Sequence, residues 1–350
     1  MANDVFSFLW TVPDSGHQWI QARLINNDQD PSAVSNRSTL DEKVQWILTD
    51  GLTYGQPYRM TRYNPLKTTP GLFRNFAQIQ PTDRDAILAF ANKYGQLGDK
   101  RPLHLGDPKE PISPFTTRGE THDSWMDHIV AMQRGVTIWE ALNRRDLATL
   151  SSFICWQAEE RTPDGANVTR VAGWHYDSHP ELPPFPKKGS APPAPGRLRQ
   201  LIEPVPDLFK TDEVFMPATF LVQRWINEHL KKNAAPRLLY NLDLGSQVVN
   251  IVPHNLIGAM WLQFAEAIAG NKHHRPCKEC GTWFEISTEE DGRTARRVFC
   301  SDACKSRDYR GRKDQAERLK GEGKTLKDIA KELDTDTETV KNWLNNRKSR

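Results

Sequence analysis

The stretches Cys277-Lys278-Glu279-Cys280-Gly281 and Cys300-Ser301-Asp302-Ala303-Cys304 decide the fold of the C-terminal part of this chain. Each stretch holds two cysteines a few residues apart, and nineteen residues separate Cys280 from Cys300. This spacing lets two tight turns bring four thiolates around one tetrahedral metal ion. The sequence therefore predicts a single structural Zn²⁺ with no open coordination position; a rubredoxin-like iron is the alternative. The predicted ligands are Cys277, Cys280, Cys300 and Cys304.

Local signals place each cysteine pair in a turn. Gly281 after the first pair permits a positive φ, which lets backbone N–H groups point toward the thiolates. Residues 283–286 and 296–299 are typical of the two strands of a hairpin that leads from the first pair to the second. Ser301 caps a helix whose first turn contains Cys304, where free N–H groups and the helix dipole favour a thiolate. Turn, hairpin and helix in this order predict a treble-clef-like finger.

Residues 299–310, with the sequence FCSDACKSRDYR, resemble the last half of the CGNR-type zinc finger. In that family the finger ends bacterial proteins described as stress-induced transcription regulators, and a helical ABATE domain precedes it. The family's Cys-Gly-Asn-Arg stretch falls on residues 304–307, where Lys305 and Ser306 replace its Gly and Asn. Residues 90–98, FANKYGQLG, are similar to a stretch of the ABATE domain. The resemblance implies a zinc ion in the finger and a role in transcription regulation.

The composition indicates a globular protein in a reducing compartment. A chain of 350 residues is long enough for one large core with appendages. The longest apolar runs, such as residues 256–269, are too short to span a bilayer, and residues 1–9 do not have the pattern of a secretion signal. Five cysteines, an odd number, argue against disulfides, and Cys155 is expected to be a buried apolar residue. We therefore expect a cytoplasmic protein without membrane contact.

Positive charge is concentrated near the C-terminus. The chain has a net charge of +3. Residues 271–350 hold twenty Lys and Arg against fifteen Asp and Glu, and residues 293–313 hold eight against two. Such a bias favours a polyanionic partner.

Residues 1–270 are predicted to form one mixed α+β domain, mostly helical with short strands. Apolar periodicity and capping residues predict helices over residues 86–94, 123–145, 147–156, 214–231 and 256–269. Strands are predicted at residues 168–176 and in a hairpin of residues 237–242 and 247–252, whereas residues 44–52 fit a strand or a short helix. Residues 180–195 contain seven prolines and are predicted to be a surface loop or linker.

After the finger, residues 314–350 are predicted to form a small helical domain. The predicted finger itself covers residues 271–313. Thr325 is a suitable N-cap for a helix over residues 326–333, and a short turn leads to a second helix over residues 337–346. The pattern resembles the helix-turn-helix of resolvase-like bacterial regulators, with Asp334 where that motif usually has a glycine.

The two modules together predict binding to double-stranded DNA. If the motif docks as helix-turn-helix proteins do, the second helix enters the major groove, and basic residues of the finger contact phosphates. The candidate base-reading residues are Thr337, Glu338, Lys341, Asn342 and Asn345. The candidate phosphate-binding residues are Arg296, Arg297, Arg307, Arg310, Arg312, Lys313 and Arg347. Acidic residues at 334, 336 and 338 oppose this, so a protein-binding helical cap is the alternative. A homodimer would suit a palindromic site.

No known catalytic motif occurs in the sequence. Residues 174–179, WHYDSH, concentrate His, Asp and Ser but are better explained as surface residues. Eight of the eleven tryptophans lie among apolar residues and are predicted to pack in the core, with room for a ligand pocket. They are Trp10, Trp19, Trp46, Trp125, Trp139, Trp156, Trp225 and Trp261.

The sequence thus predicts a zinc-containing bacterial transcription regulator, with a small molecule or protein as effector of the N-terminal domain. A nucleic-acid-targeted enzyme or toxin with an unrecognised active site, and a protein-binding adaptor, remain alternatives.

Overall fold

A computed structural model shows two compact units, an N-terminal unit of residues 1–271 and a C-terminal unit of residues 272–350. Strands and helices are both present throughout, as the α+β prediction requires. The structure describes residues 8–26, 39–51, 59–105, 117–161, 167–173, 213–241, 244–286 and 297–345. The proline-rich residues 180–195 and the histidine-containing residues 174–179 lie outside these ranges.

A small antiparallel barrel begins the N-terminal unit. Its strands, in the order in which they pair, are β2 (His17–Asn26), β3 (Thr39–Asp50), β6 (Arg118–Thr121) and β5 (Arg101–His104). Beside it, β1 (Trp10–Pro13) pairs with β4 (Met60–Tyr63). Ala22, Leu24, Ile47 and Leu103 form an apolar cluster inside the barrel. Residues 44–50 are therefore strand, which decides between the two predicted alternatives.

Helices build the main core of the N-terminal unit. They are α1 (Pro65–Thr68), α2 (Leu72–Ala77), α3 (Arg84–Tyr94), α4 (His122–Arg144), α5 (Leu147–Phe153), α6 (Phe215–Asn233) and α7 (Leu256–Ala269). The capping signals of α3 are confirmed: the Asp83 side chain accepts from two N–H groups, and Gly95, with φ of +94°, ends the helix. Trp261 and Phe264 of α7 are fully buried, and Phe264 stacks on Phe73 at 5.2 Å between ring centres.

The predicted helix over residues 147–156 is wrong in its last residues. Helix α5 ends at Phe153, and the chain continues as β7 (Ile154–Arg161), which pairs with β8 (Asn167–Gly173). Ile154 has extended backbone angles of −107° and 126°. Ile154 and Trp156 belong to residue types that favour strands, and the partner strand supplies their hydrogen bonds.

Trp125, Trp139, Trp225 and Trp261 are buried, as predicted. Trp10 and Trp19 are partly buried against the same core. Trp46 is the exception, because it is 40% exposed and the Arg84 guanidinium lies 4.0 Å from its ring centre. The side chains of Trp156 and Cys155 lie outside the described part of the chain.

A hairpin of β9 (Ala234–Asn241) and β10 (Ser246–Pro253) precedes α7, in register from Ser246 opposite Asn241 to Pro253 opposite Ala234. Gly245 at the turn has a φ of +60°, which glycine adopts at little cost. The hairpin prediction is therefore confirmed.

The C-terminal unit contains β11 (His273–Pro276), β12 (Trp283–Ile286), α8 (Asp302–Gly321), α9 (Leu326–Glu332) and α10 (Thr337–Asn345). The expected pairing of residues 283–286 with residues 296–299 is wrong for its described part. Strand β12 pairs instead with β11, on the other side of the first cysteine pair, and residues 297–299 form no strand.

Helices α8, α9 and α10 enclose their own apolar core. Its buried members are Ala316, Leu319, Ile329, Ala330, Leu333, Val340 and Trp343. Asp334 joins α9 to α10 with a left-handed φ of +48°. The N–H of Thr335 donates to the carbonyl of Ala330 at 2.9 Å, and the N–H of Asp334 donates to the carbonyl of Lys331 at 3.4 Å. These two hydrogen bonds are those of the Schellman motif at a helix C-terminus.

Candidate metal centre

The first cysteine pair lies in the turn between β11 and β12. The N–H of Gly281 donates to the carbonyl of Cys277 at 2.9 Å, and the N–H of Cys277 donates to the carbonyl of Thr282 at 3.0 Å. Gly281 has a φ of +68°, and a Cβ built on it would meet nothing within 4 Å. The turn therefore needs glycine for its backbone angles and not for space.

The second pair lies where the chain enters α8. The Ser301 side chain caps the helix by accepting from the N–H of Cys304 at 3.3 Å. Cys304 is thus the third residue of the helix, and its side chain lies at the positive end of the helix dipole. The predicted cap and the predicted position of Cys304 in the first turn of the helix are both confirmed.

The four sulfur atoms converge on one point. The side-chain sulfurs of Cys277, Cys280, Cys300 and Cys304 all lie within 4.8 Å of one another. Cys300 Sγ is 3.6 Å from Cys280 Sγ and 3.5 Å from Cys304 Sγ, and no disulfide joins these residues. A Zn–S distance of about 2.3 Å would place tetrahedral sulfurs about 3.8 Å apart, close to these values. The cluster is close enough to hold one metal ion.

The four cysteines differ in their exposure to solvent. Cys277 and Cys304 are buried with Phe284 in a small apolar cluster, whereas Cys280 is exposed. The apolar side restricts water on one face of the sulfurs.

Hydrogen bonds and burial shift the pKa values of three of the thiols in different directions. Burial alone would raise the pKa of Cys277, but backbone N–H groups that donate to its sulfur lower it overall. Burial likewise opposes ionisation of Cys280, yet donors at Thr282 lower its pKa to about 6. Burial and the neighbouring sulfurs raise the pKa of Cys300 to about 12. Metal binding requires the thiolate form of each cysteine, so a cation among the sulfurs would favour ionisation of Cys300 as well.

Arg297 contacts residues next to both cysteine pairs. Its guanidinium donates to the carbonyl of Phe299 at 2.8 Å and to that of Cys300, and it lies 5.3 Å from the ring centre of Phe284. Next to it, the N–H of Lys278 donates to the carbonyl of Val298 at 2.9 Å. The sequence suggested phosphate binding for Arg297. Its contact with Phe284 carried no sequence signal, because the fold alone brings these two residues together.

The four candidate phosphate-binding residues on α8 have different surroundings. Arg307 is exposed and 3.9 Å from Glu279, and exposed Arg310 donates to the carbonyl of Ser306 at 3.3 Å. Arg312 is turned toward the helical core: its Nε is 2.8 Å from Asp308 Oδ2, at an angle too poor for a hydrogen bond, and its guanidinium is 5.7 Å from the Trp343 ring centre. Lys313 is half-buried.

Helix α10 separates its polar and apolar residues cleanly. Val340 and Trp343 are buried, and the five predicted base-reading residues are exposed: Thr337, Glu338, Lys341, Asn342 and Asn345. Asp336 accepts from the N–H of Thr339 at 2.7 Å, so this carboxylate serves as the helix cap. Arg296 and Arg347 lie outside the described residues.

A cleft of about 560 Å³ lies elsewhere, in the N-terminal unit. It opens between the β9–β10 hairpin and the helices, and its aliphatic lining includes Leu66, Leu230, Leu239, Val248 and Leu262. Its size is that of small-molecule sites.

No protein-family model, curated protein or solved structure matches this chain. The resemblance to CGNR-type fingers and ABATE domains therefore stands on the quoted residues alone. Within the described part of the chain, no helix combines the length and the apolar character needed to cross a membrane.

Proposed function

We propose that the protein is a zinc-containing DNA-binding transcription regulator, in which the cysteine cluster and the three C-terminal helices act as one DNA-binding module. Cys277, Cys280, Cys300 and Cys304 would hold the ion. Four thiolates favour Zn²⁺ and leave no position for a substrate, so the ion would stabilise the fold and take no part in chemistry. Thiolate ligands persist where disulfides do not form, which suits the cytoplasm.

One observation carries the proposal: α8 belongs to both parts of the module. It holds Cys304 in its first turn and contributes Ala316 and Leu319 to the three-helix core. The helix spans the predicted boundary between residues 313 and 314, so finger and helix pair share one rigid element. An ion at the start of α8 would therefore fix the position of α10 as well.

The two short helices have the arrangement that a helix-turn-helix requires. A tight turn joins α9 to α10, and α10 is held by its apolar face against α8 and α9. Its opposite face presents Lys341, Asn342 and Asn345 to solvent. Amide and ammonium groups on an exposed helix face are suited to base edges in the major groove.

Basic side chains near the finger would supply phosphate contacts. Arg307 and Arg310 are exposed on α8, and their observed partners are weak or local. An exposed pair such as Arg307 and Glu279 contributes little stability and can exchange its partner for a phosphate. Arg297 and Arg312 already have partners within the unit and are weaker candidates.

Mobility shift against genomic fragments tests the proposal. The wild type should bind some genomic fragments more tightly than others. We expect the double variant Lys341→Ala, Asn342→Ala to lose this preference. Arg307→Ala with Arg310→Ala should instead weaken binding to all fragments and reduce its salt dependence. Lys232→Ala, at an exposed lysine of α6, is the matched control and should bind as the wild type does.

Either of two results would remove DNA binding from the proposal. The first is an absence of affinity for any duplex at low salt, which would favour the protein-binding alternative. The second is binding that is indifferent to all four substitutions in the C-terminal unit. Zinc content is measured on the same samples, so that loss of the ion and loss of a DNA contact are not confused.

The cleft behind the β9–β10 hairpin is the place we propose for an effector. Its aliphatic lining would suit an apolar small molecule, with polar groups of Asn64 and Asn241 in the lining to orient it. Calorimetric titration with apolar metabolites tests this, and Leu239→Asp should abolish any binding found.

A further inference from the structure

Cys280 is the cysteine of the cluster that solvent reaches most easily. Cys280 is exposed and Cys300 is half-buried, whereas Cys277 and Cys304 are only 3% and 6% exposed. The next residue, Gly281, has no side chain to cover it, and nothing lies within 4 Å of a Cβ built there. A small solute in water therefore meets Cys280 before the other three thiols.

Cys300 offers Cys280 a thiol from the other half of the finger. The two sulfur atoms are 3.6 Å apart. Two residues before each cysteine, the N–H of Lys278 donates to the carbonyl of Val298 at 2.9 Å, so the two chain segments lie side by side. A disulfide has an S–S distance of about 2.05 Å, so the sulfurs need to approach by about 1.5 Å. The hydrogen bond holds the two segments together for that approach.

Exposure, and not distance, decides between the possible partners in such a disulfide. Cys304 Sγ lies just as near to Cys300 Sγ, at 3.5 Å. Cys304 is buried beside Phe284, however, and the Ser301 side chain caps its N–H at the start of α8. An oxidant from solvent reacts first at Cys280, and the half-buried Cys300 is then the most accessible of the nearby thiols.

We propose that Cys280 and Cys300 form a reversible disulfide with hydrogen peroxide as the oxidant, so that the finger is an oxidant-sensitive switch. The thiolate of Cys280 attacks one oxygen of the peroxide: an S–O bond forms, the O–O bond breaks, and hydroxide leaves and takes up a proton. Cys280 is thereby oxidised to a sulfenic acid, and the peroxide is reduced to water. The thiolate of Cys300 then attacks the Cys280 sulfur, the S–O bond breaks, and a second water leaves as the S–S bond forms.

The effect of this disulfide on a metal ion rests on the proposed function. Thiolates are the species that bind the ion, and the disulfide withdraws two of the four. Cys277 and Cys304 alone cannot complete a tetrahedral site of four sulfurs. Oxidation would therefore release the ion and, with it, the link between the first turn of α8 and the turn between β11 and β12. Reduction by a dithiol would reverse the change.

Disulfide mapping by mass spectrometry tests the proposal on the full-length protein. The zinc content is measured first, the protein is treated with hydrogen peroxide, and the remaining thiols are alkylated at intervals. Trypsin cuts after Lys278 and so separates Cys277 from Cys280, and fragmentation of the linked peptides distinguishes Cys300 from Cys304. We expect the first disulfide to join Cys280 to Cys300, with one zinc released per disulfide. A dithiol with added zinc should restore the starting state.

Cys277→Ser and Cys280→Ser are a matched pair, because each removes one of the four thiols. Cys277→Ser keeps both reacting sulfurs and should still form the disulfide, whereas Cys280→Ser should leave Cys300 reduced over the same time. Cys155→Ser, outside the cluster, should react as the wild type does. If a variant does not fold, the map of the wild type decides alone.

Three results would overturn the inference: thiols of the cluster that all stay reduced in peroxide, a first disulfide that joins any other pair, or equal oxidation of Cys300 in the two matched variants. A purified protein without zinc would contradict the proposed metal site instead. In that case the disulfide map still confirms or overturns the pairing of Cys280 with Cys300.

Discussion

The ring of Tyr309 meets the ring of Trp343 edge to face, with 5.7 Å between their centres and an angle of 82°. Tyr309 lies on α8 five residues after Cys304, and Trp343 is a buried residue of α10. The contact therefore joins the helix that begins at the cysteine cluster to the helix proposed to contact DNA.

Trp343→Ala should unfold the three-helix core and leave the cysteine cluster able to bind metal. Truncating a buried tryptophan costs about 3–5 kcal/mol, which is large for a core of seven residues. Tyr309→Leu should cost only about 1 kcal/mol, since it removes the aromatic pairing alone. Thermal unfolding followed by circular dichroism measures both, with metal analysis on each sample. Loss of zinc in the tryptophan variant would contradict this expectation, because it would show that the cysteine cluster needs the three-helix core in order to bind metal.

Cys304→Ser should abolish metal binding and disorder the C-terminal unit. A structural ion contributes about 10 kcal/mol or more to small zinc modules, so its loss is expected to unfold this unit. The purified wild type should contain one zinc per chain by elemental analysis, and a strong chelator should reproduce the effect of the substitution. Ser306→Ala, two residues further along the same helix, is the control and should retain the ion. A chain with no bound zinc and a fully ordered C-terminal unit would contradict the expectation.

Asp334→Gly should stabilise the C-terminal unit. Asp334 adopts a left-handed backbone conformation at the end of α9, and that conformation costs a residue with a Cβ about 1 kcal/mol. Gly323 occupies the same position at the end of α8, with a φ of +85°. Gly323→Ala should therefore destabilise the unit by a similar amount. Denaturant unfolding of both variants measures the change in the free energy of unfolding. A change of the same sign in both variants would contradict the role assigned to the left-handed conformation.

The buried carboxyl of Glu120 predicts that the stability of the N-terminal unit depends on pH. Its buried carboxyl accepts from the N–H groups of Leu97 and Asp99 at 2.9 Å and from that of Gly98, yet burial outweighs these donors and raises its pKa to about 7. The folded state thus binds this proton more tightly than the unfolded state, whose pKa is near 4.5. Its contribution to stability should fall as the pH rises from about 4.5 to 7.

Glu120→Gln tests that dependence, because glutamine keeps the shape of the side chain and does not titrate. Thermal midpoints of wild type and variant are compared over that pH range. The wild type should lose stability relative to the variant as the pH rises, and parallel curves would exclude Glu120 as the cause.

Helix ends and the metal cluster were predictable from sequence because both are encoded over a few residues. Asp83, Ser301 and Thr325 cap the helices that they were expected to cap. The cysteine spacing, likewise, required only two turns and a spacer.

Strand partners were not predictable in the same way. The four-strand barrel brings together residues 17–26 and 101–104, and β12 turned out to pair with the strand before it. Such pairings depend on the stability of the whole fold, which a local pattern does not express. The contact of Arg297 with Phe284 and that of Trp46 with Arg84 escaped prediction for the same reason, since each joins side chains from different segments.

The length of α8 would give an ion bound by the four cysteines an influence on residues far from the cluster. From Cys304 to Leu319 the helix axis extends about 22 Å. A tilt of roughly 10° at the sulfur end would displace the far end of a helix of this length by about 4 Å, more than the rise of about 3.4 Å between successive base pairs of a duplex. Small changes in coordination would therefore be amplified into a change of register at the far helices.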